Sequence, residues 1–230
     1  MNMQKISFTD LMASSIHDMK NSVNVQVNAL EQMAHDAKAR GDLAAFDKLV
    51  VVIAQAHRVN ANLIQLLSLY KFGKSTYPLD IQEQSVMELI TEAVLQQRAV
   101  LDFKGISVEV DCPANCDWYF DHDLMTGVLL NALNNACHYT RDKVRIAAQV
   151  LDGALVLRIE DNGLGYPARM LERDAIGADR GVDFFTGSTG LGFYFSAQVA
   201  QLHQNNGRSG TLSIDNGGAL GGGCFVVTLP

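Results

Sequence analysis

Asn131-Ala132-Leu133-Asn134-Asn135-Ala136-Cys137-His138-Tyr139-Thr140 is the stretch on which the fold turns. Asn131, Asn135 and His138 stand four and three residues apart, so a helix lays two carboxamides and an imidazole along one face. Neutral oxygen donors of this kind suit Mg2+ when phosphates supply the remaining charge. Taken alone, the pattern is equally that of an ordinary polar helix face.

Two glycine motifs follow downstream. In Asp161-Asn162-Gly163-Leu164-Gly165 a carboxylate leaves a strand and is followed at once by glycines that allow close backbone approach to a flat ligand. In Gly187-Ser188-Thr189-Gly190-Leu191-Gly192-Phe193 glycines precede a helix, where backbone N–H groups and the positive helix end face an anion. Each motif by itself is a common turn. Their order and spacing are far more specific than any one of them. The run rich in glycine and charge from Asp161 to Phe184-Phe185 is long for a simple connection and reads as a lid.

Around these motifs helices and strands alternate. The pattern predicts strands near Leu79–Gln82, Ile106–Asp111 and Trp118–Phe120, with helices over Val86–Phe103 and Asp123–Tyr139. Strands Val144–Leu151 and Ala154–Glu160 flank Asp152-Gly153, the strongest hairpin signal in the chain. A helix over Leu191–Leu202 and strands Thr211–Asn216 and Cys224–Leu229 complete a mixed α/β sandwich.

The N-terminal third has a different period. Met12, Ile16, Met19, Val23, Leu30, Met33 and Ala37 follow steps of four and three, interrupted by Gln26, along a helix from Thr9 or Asp10 to about Arg40. Gly41-Asp42 breaks it. Phe46, Leu49, Ile53, Ala56, Asn60, Leu63, Leu67 and Tyr70 then mark a second helix, giving an antiparallel hairpin. Such a hairpin cannot cover its own apolar stripes, so a four-helix homodimer is expected. Asn60 in the second stripe either fixes register or faces outward at a frayed seam. Gly73 to Pro78 interrupts the helical pattern, dividing the chain into a hairpin at 1–73, a linker at 74–78 and a second domain at 79–230. In Ser14-Ser15-Ile16-His17-Asp18-Met19-Lys20-Asn21, His17 follows a seam residue and Asn21 lies one turn on, so both project from one exposed flank.

Over 230 residues, 48% are hydrophobic and 19% charged, an ordinary globular mixture. The net charge of −7, without a Lys/Arg cluster, argues against a general nucleic-acid binder. No apolar run reaches membrane-span length and Met1–Lys5 lacks a signal peptide's apolar core, so a cytoplasmic protein without a membrane partner is expected. Cys112 and Cys116 form a Cys-x3-Cys without a second ligand pair, so free thiols are preferred over a zinc site.

Taken together, the motifs resemble those of bacterial sensor histidine kinases, whose ATP-binding domain is of the GHKL or Bergerat type shared in outline with Hsp90, type II topoisomerases and MutL. The resemblance covers nearly the whole chain. His17–Asn21 looks like the phosphoacceptor box, Asn131–Thr140 like the N box, and Asp161–Gly165 and Gly187–Gly192 like the two glycine boxes. It implies a dimerising phosphotransfer hairpin followed by an ATP-binding α/β domain, with ATP and Mg2+ as cofactors. Asn135 would then bind Mg2+, and Asn131 and His138 would lie near the phosphates. Asp161 would accept from the adenine amine, and Gly163 and Gly165 would shape its pocket. Gly187, Gly190, Leu191 and Gly192 would approach the phosphates, with Phe184 and Phe185 preceding them.

His17 would attack the γ-phosphorus, and Asp18 would orient or deprotonate its ring. The phosphoryl group would pass to an Asp on a response regulator receiver domain, and Asn21 would serve the reverse dephosphorylation. Two features depart from the family. Ser22 stands where the family often has Pro, and no sensor domain precedes the hairpin, so input is expected from a separate sensor protein unless the chain is a fragment. The alternative is a phosphotransfer or scaffold protein with a non-catalytic nucleotide site, which the intact motifs oppose. A chaperone-type or repair ATPase would need a carboxylate ahead of Asn135, where the chain reads Leu129-Leu130-Asn131-Ala132.

Overall fold

Apolar steps of three and four in the N-terminal third become two helices, α1 (Phe8–Ala39) and α2 (Leu43–Gly73). The computed structural model describes residues 8–74, 77–171 and 190–230, in two units divided between Pro78 and Leu79. The expectations for the side chains of Thr9, Asp10 and Met12, and for Phe184, Phe185 and Gly187, lie outside the described residues.

Gly41, at a φ of 74°, turns the chain between the helices. Asp42 then caps α2 by accepting from Ala45 N at 3.0 Å, a contact worth about 1 kcal/mol. The seam read from sequence splits in two. Val27, Ala34 and Ala37 of α1 pack away with Val50 and Ile53 of α2, whereas Met19 is 54% exposed and Met33 is exposed as well. One neighbouring helix covers only part of a wide apolar face. Val52, Val59 and Leu66, seven residues apart, likewise stay exposed on α2.

Asn60 takes the register role: its Nδ2 donates to Asn24 Oδ1 at 2.7 Å across the hairpin. His57 Nε2 lies 3.2 Å from Glu31 Oε1, a second cross-link between the same helices. Ser22 leaves α1 unbroken and donates from Oγ to Asp18 O at 3.0 Å.

In the second unit β1 (Ile81–Ser85) pairs antiparallel with β3 (Asp117–Asp121), which shifts the first strand two residues beyond the predicted Leu79–Gln82. Ser85 ends it because its side chain accepts from Glu88 N and starts α3 (Val86–Lys104). A five-stranded sheet has the order β2 (Ser107–Asp111), β4 (Lys143–Leu151), β5 (Ala154–Asp161), β9 (Gly222–Leu229), β8 (Thr211–Gly217). Only β2 and β4 run parallel within it. Helix α4 (His122–Tyr139) packs on β5, α3 on α4, and α6 (Leu191–Leu202) on β8 and β9. Phe120, Met125, Leu129, Leu133, Ile146, Leu157, Phe195 and Phe225 fill the space between these layers. α5 (Ala168–Leu171) follows β5.

Asp152 and Gly153 have φ values of 51° and 73°, the two successive left-handed residues of a tight hairpin. Asn206 and Gly207 repeat this at 49° and 75° between β6 (Gln204–Asn205) and β7 (Arg208–Ser209). Strands of two residues carry no alternation, which is why the sequence reading missed them. No helix among the described residues is long and apolar enough to cross a membrane.

His203, 2% exposed at the end of α6, joins two helix ends. Its Nε2 accepts from Asp121 N at 3.0 Å, so Nδ1 carries the proton and donates to Val199 O at 2.8 Å. Asp121 in turn caps α4 through Leu124 N and accepts from Asp80 N, both at 3.0 Å. Burial holds His203 below its ordinary 6.5. Above pH 7 the ring is neutral folded and unfolded, and its contribution is constant. As pH falls through 6.5 the unfolded chain takes up the proton first, so stability drops until the folded ring also titrates. Denaturant unfolding of the second unit is therefore expected to weaken from pH 7 to 5. His203→Gln, which keeps one donor and one acceptor, should flatten that slope; an unchanged slope would contradict the assignment.

Candidate functional site

Helix α4 turns Leu124, Met125, Val128, Leu129, Ala132, Leu133 and Ala136 into the core, leaving Asn131, Asn135 and His138 on the opposite flank. Asn131 is half-buried and already engaged. Its Nδ2 donates to Ser196 Oγ at 3.2 Å, and that hydroxyl donates to Gly192 O at 2.8 Å. A Cβ on Gly192 would stand 2.6 Å from Asn131 Cγ, so any side chain at this position would displace the Asn131 carboxamide. Asn135 is half-buried and its carboxamide makes no hydrogen bond among the described residues. His138 is exposed, its ring 4.7 Å from Tyr139.

At the end of β5, Asp161 is 6% exposed. Its Oδ1 accepts from Gly163 N at 2.7 Å and Gly223 N at 3.3 Å, while Oδ2 accepts no hydrogen bond among the described residues. Cβ atoms on Gly163, Gly222 and Gly223 would come within 2.8, 2.6 and 2.7 Å of the carboxylate oxygens. Three glycines therefore let main chain close around one acid. Gly222 and Gly223 were missed in the sequence, although the run Gly221-Gly222-Gly223 was a visible signal.

Asn162 was missed as well. Its Oδ1 accepts from Thr140 Oγ1 at 2.8 Å, Arg141 N at 3.1 Å and Lys143 N at 3.3 Å, and its Nδ2 donates to Asp142 Oδ1 at 2.7 Å. This ties the turn after α4 to the turn after β5, and so relates Asn135 to Asp161. Gly165, at a φ of 78°, lies against Asn216, whose carboxamide pairs with the main chain of Tyr166.

Gly190 opens α6 at a φ of 57° without a side-chain cap, which leaves the first-turn N–H groups to other acceptors. Leu191 points into the core, so only its main chain can serve a ligand. No group of three His, Cys, Asp or Glu side chains converges among the described residues. A divalent cation would rest instead on the neutral oxygen of Asn135 and on phosphate oxygens, a donor set that suits Mg2+. Burial pushes the thiols of Cys112, Cys137 and Cys224 up to about 11, so they remain protonated and unreactive.

On α1, His17 is 56% exposed. Asp18 Oδ1 and Asn21 Nδ2 both lie 3.5 Å from its Nδ1. A protonated Nδ1 donates to Asp18 and a bare one accepts from Asn21, and in either case Nε2 is left without a partner among the described residues. These three residues belong to the first unit, and the nucleotide motifs to the second.

Residues 120–230 match the family described as histidine kinase-, DNA gyrase B-, and HSP90-like ATPase. Among curated relatives, the signal transduction histidine-protein kinase AfsQ2 of Streptomyces coelicolor is 25% identical over 94% of this chain and 41% of its own length. The sensor protein SrrB of Staphylococcus aureus is 23% identical over 96% of this chain and 38% of its own. The chain thus spans about two fifths of the length of these relatives. Among solved structures, the histidine kinase AdeS of Acinetobacter baumannii superposes with a TM-score of 0.59 at 18% identity, covering 89% of this chain and 96% of its own. Residues 120–230 thus carry an ATPase domain of the kind shared by histidine kinases, DNA gyrase B and HSP90, it follows a helical hairpin, and the chain is similar to sensor histidine kinases along almost its whole length.

Proposed function

We propose that the chain is an ATP-dependent protein-histidine kinase that phosphorylates His17 and passes the phosphoryl group to an aspartate on a response regulator receiver domain. The observation that carries this reading is the half-used carboxylate of Asp161, closed in by glycines and tied through Asn162 to the helix that presents the unpartnered carboxamide of Asn135. One acid oxygen anchored by main chain and one left bare is the arrangement needed to accept from the adenine amine. Asn135 supplies a neutral oxygen to Mg2+, which when bound neutralises phosphate charge.

Within the phosphoacceptor box, Asp18 holds the Nδ1 proton so that the lone pair on Nε2 is free to attack. The Nε2–phosphorus bond forms as the bond from phosphorus to the ADP oxygen breaks, and the positive charge on the ring is stabilised by Asp18. Met19, Met33, Val52, Val59 and Leu66 form the face that a second copy of the hairpin covers, completing a four-helix homodimer. In this reading residues 1–73 are the dimerisation and phosphotransfer domain and 79–230 the ATP-binding domain of a cytoplasmic enzyme.

With Mg2+ and ATP, the protein is expected to acquire an acid-labile, base-stable phosphate. His17→Ala should lose that label and still bind ADP. Full labelling of the variant would refute the assignment of His17.

Asp161→Asn should weaken ADP binding at least tenfold and erase the preference for ATP over GTP, since an amide offers a donor where the carboxylate only accepts. Asn135→Ala should bind ADP without Mg2+ as the wild type does and lose the additional affinity that Mg2+ confers. Calorimetric titrations with and without the metal separate the two roles.

Asn21 reaches toward the same space as His17 and can position a water against a docked phospho-aspartate, in the regulator's dephosphorylation. Asn21→Ala should retain most labelling at His17 and lose acceleration of phospho-regulator decay. Equal acceleration by wild type and variant would remove that role.

A further inference from the structure

Tyr166 follows the Asp161–Gly165 turn with its main chain held by a side chain fifty residues away. Asn216 Oδ1 accepts from Tyr166 N at 2.6 Å and Asn216 Nδ2 donates to Tyr166 O at 2.9 Å. A carboxamide facing a peptide group in this way fixes the backbone on both sides of the residue and hence the direction of its side chain. The ring is further set edge-on to Phe193 of α6, with centroids 6.0 Å apart at 70°. Phe193 in turn lies 5.9 Å from Phe225 of the sheet.

Held in this frame, the ring comes to Asp161. Tyr166 Cε2 lies 3.1 Å, and Asp161 Oδ2 2.7 Å, from the point a Cβ on Gly223 would occupy. The ring edge and the bare carboxylate oxygen therefore both border the space above the same glycine. Burial, and then the charge of Asp161, push the phenol far above its usual 10, so it remains a hydroxyl. That hydroxyl donates neither to Asp161 nor to any other described residue.

A bare acceptor and a ring that carries an unused donor thus flank one glycine without bonding to each other. The Watson–Crick edge of adenine presents the complementary pair, a donor at N6 and an acceptor at N1. Guanine reverses both, with an acceptor at O6 and a donor at N1, and would set O6 against a carboxylate that can only accept and leave the hydroxyl to accept instead of donate.

We propose that Tyr166 Oη donates a hydrogen bond to N1 of the adenine ring while Asp161 Oδ2 accepts from N6, so that the base is read at two adjacent atoms. The inference rests on the ATP-site reading above and adds a second specificity residue to it. Asn216 acts through Tyr166 as a positioning residue, and Phe193 limits the ring's rotation.

Binding of ADP and of 1-deaza-ADP, which carries C–H in place of N1, to the 230-residue chain tests this. A hydrogen bond between neutral groups sets the scale at about tenfold. Wild type should bind ADP about tenfold more tightly than 1-deaza-ADP. Tyr166→Phe keeps the ring and its packing on Phe193, and should bind both nucleotides equally, at the level of wild type with the analogue. Wild type binding the two within twofold of each other, or Tyr166→Phe retaining the preference for ADP, overturns the role of Tyr166 and leaves the ATP site standing. Absence of ADP binding by wild type overturns the ATP site itself, and this inference with it. The comparison on wild type needs no variant, so a folding defect in Tyr166→Phe cannot mask the result.

Discussion

A carboxylate removed from water must be given donors or an opposite charge, and Asp161 is given donors on one side only. Much of the second unit can be understood from that constraint. Two main-chain N–H groups must reach Oδ1, so glycines stand at 163, 222 and 223, where any Cβ would collide with the acid. The turn that brings Gly163 must not drift, and Asn162 pins it to the end of α4 with four hydrogen bonds to its Oδ1. Oδ2 accepts no hydrogen bond among the described residues.

The neighbouring residue shows what full satisfaction looks like. Glu160 is 2% exposed and sits one step back along β5, on the opposite face of the sheet. Its Oε2 receives Arg145 Nη1 at 3.2 Å and Ala219 N at 3.0 Å. Arg145 continues to Asp111 and to Glu109, which also pairs with Lys143 at 2.7 Å. This ladder crosses β2, β4 and β5 and locks their register. Two adjacent buried acids on one strand thus differ in kind: one has a cation and a closed network, the other has neither. Burial alone would have made both candidates for chemistry, and hydrogen-bond accounting separates them.

Periodicity and turn chemistry carried most of the fold in the sequence. The helix steps around Leu129 and Leu133, the Asp152-Gly153 hairpin and the glycine motifs all act within a few residues of themselves, which is the range over which local pattern is informative. What escaped was set by partners distant in the chain. Asn216 and Tyr166 are fifty residues apart, Gly222 and Gly223 serve an acid on another strand, and the role of Asn162 depends on a turn twenty residues earlier. The first helix failed differently. Its apolar face was correctly placed, but one sequence pattern cannot say which half of a wide face meets the neighbouring helix, and the structure puts Val27 and Ala34 there in place of Met19 and Met33.

Ser22 bears on how α1 can move beside His17. A proline at that position would remove the N–H that bonds the Asp18 carbonyl and clash with that carbonyl, so the helix would kink beside His17 at no further expense. With serine the N–H is retained within an unbroken helix, and the hydroxyl adds a second donor to the same carbonyl at 3.0 Å. Back-bonding of this kind bends a helix slightly without opening it. A sharp bend at His17 would therefore have to break one or both of these bonds, each worth about 1 kcal/mol net. Breaking both costs about 2 kcal/mol, a few times the thermal energy and small against the binding energy of a docked domain, so a sharp bend there is a minor state at rest that a partner can select.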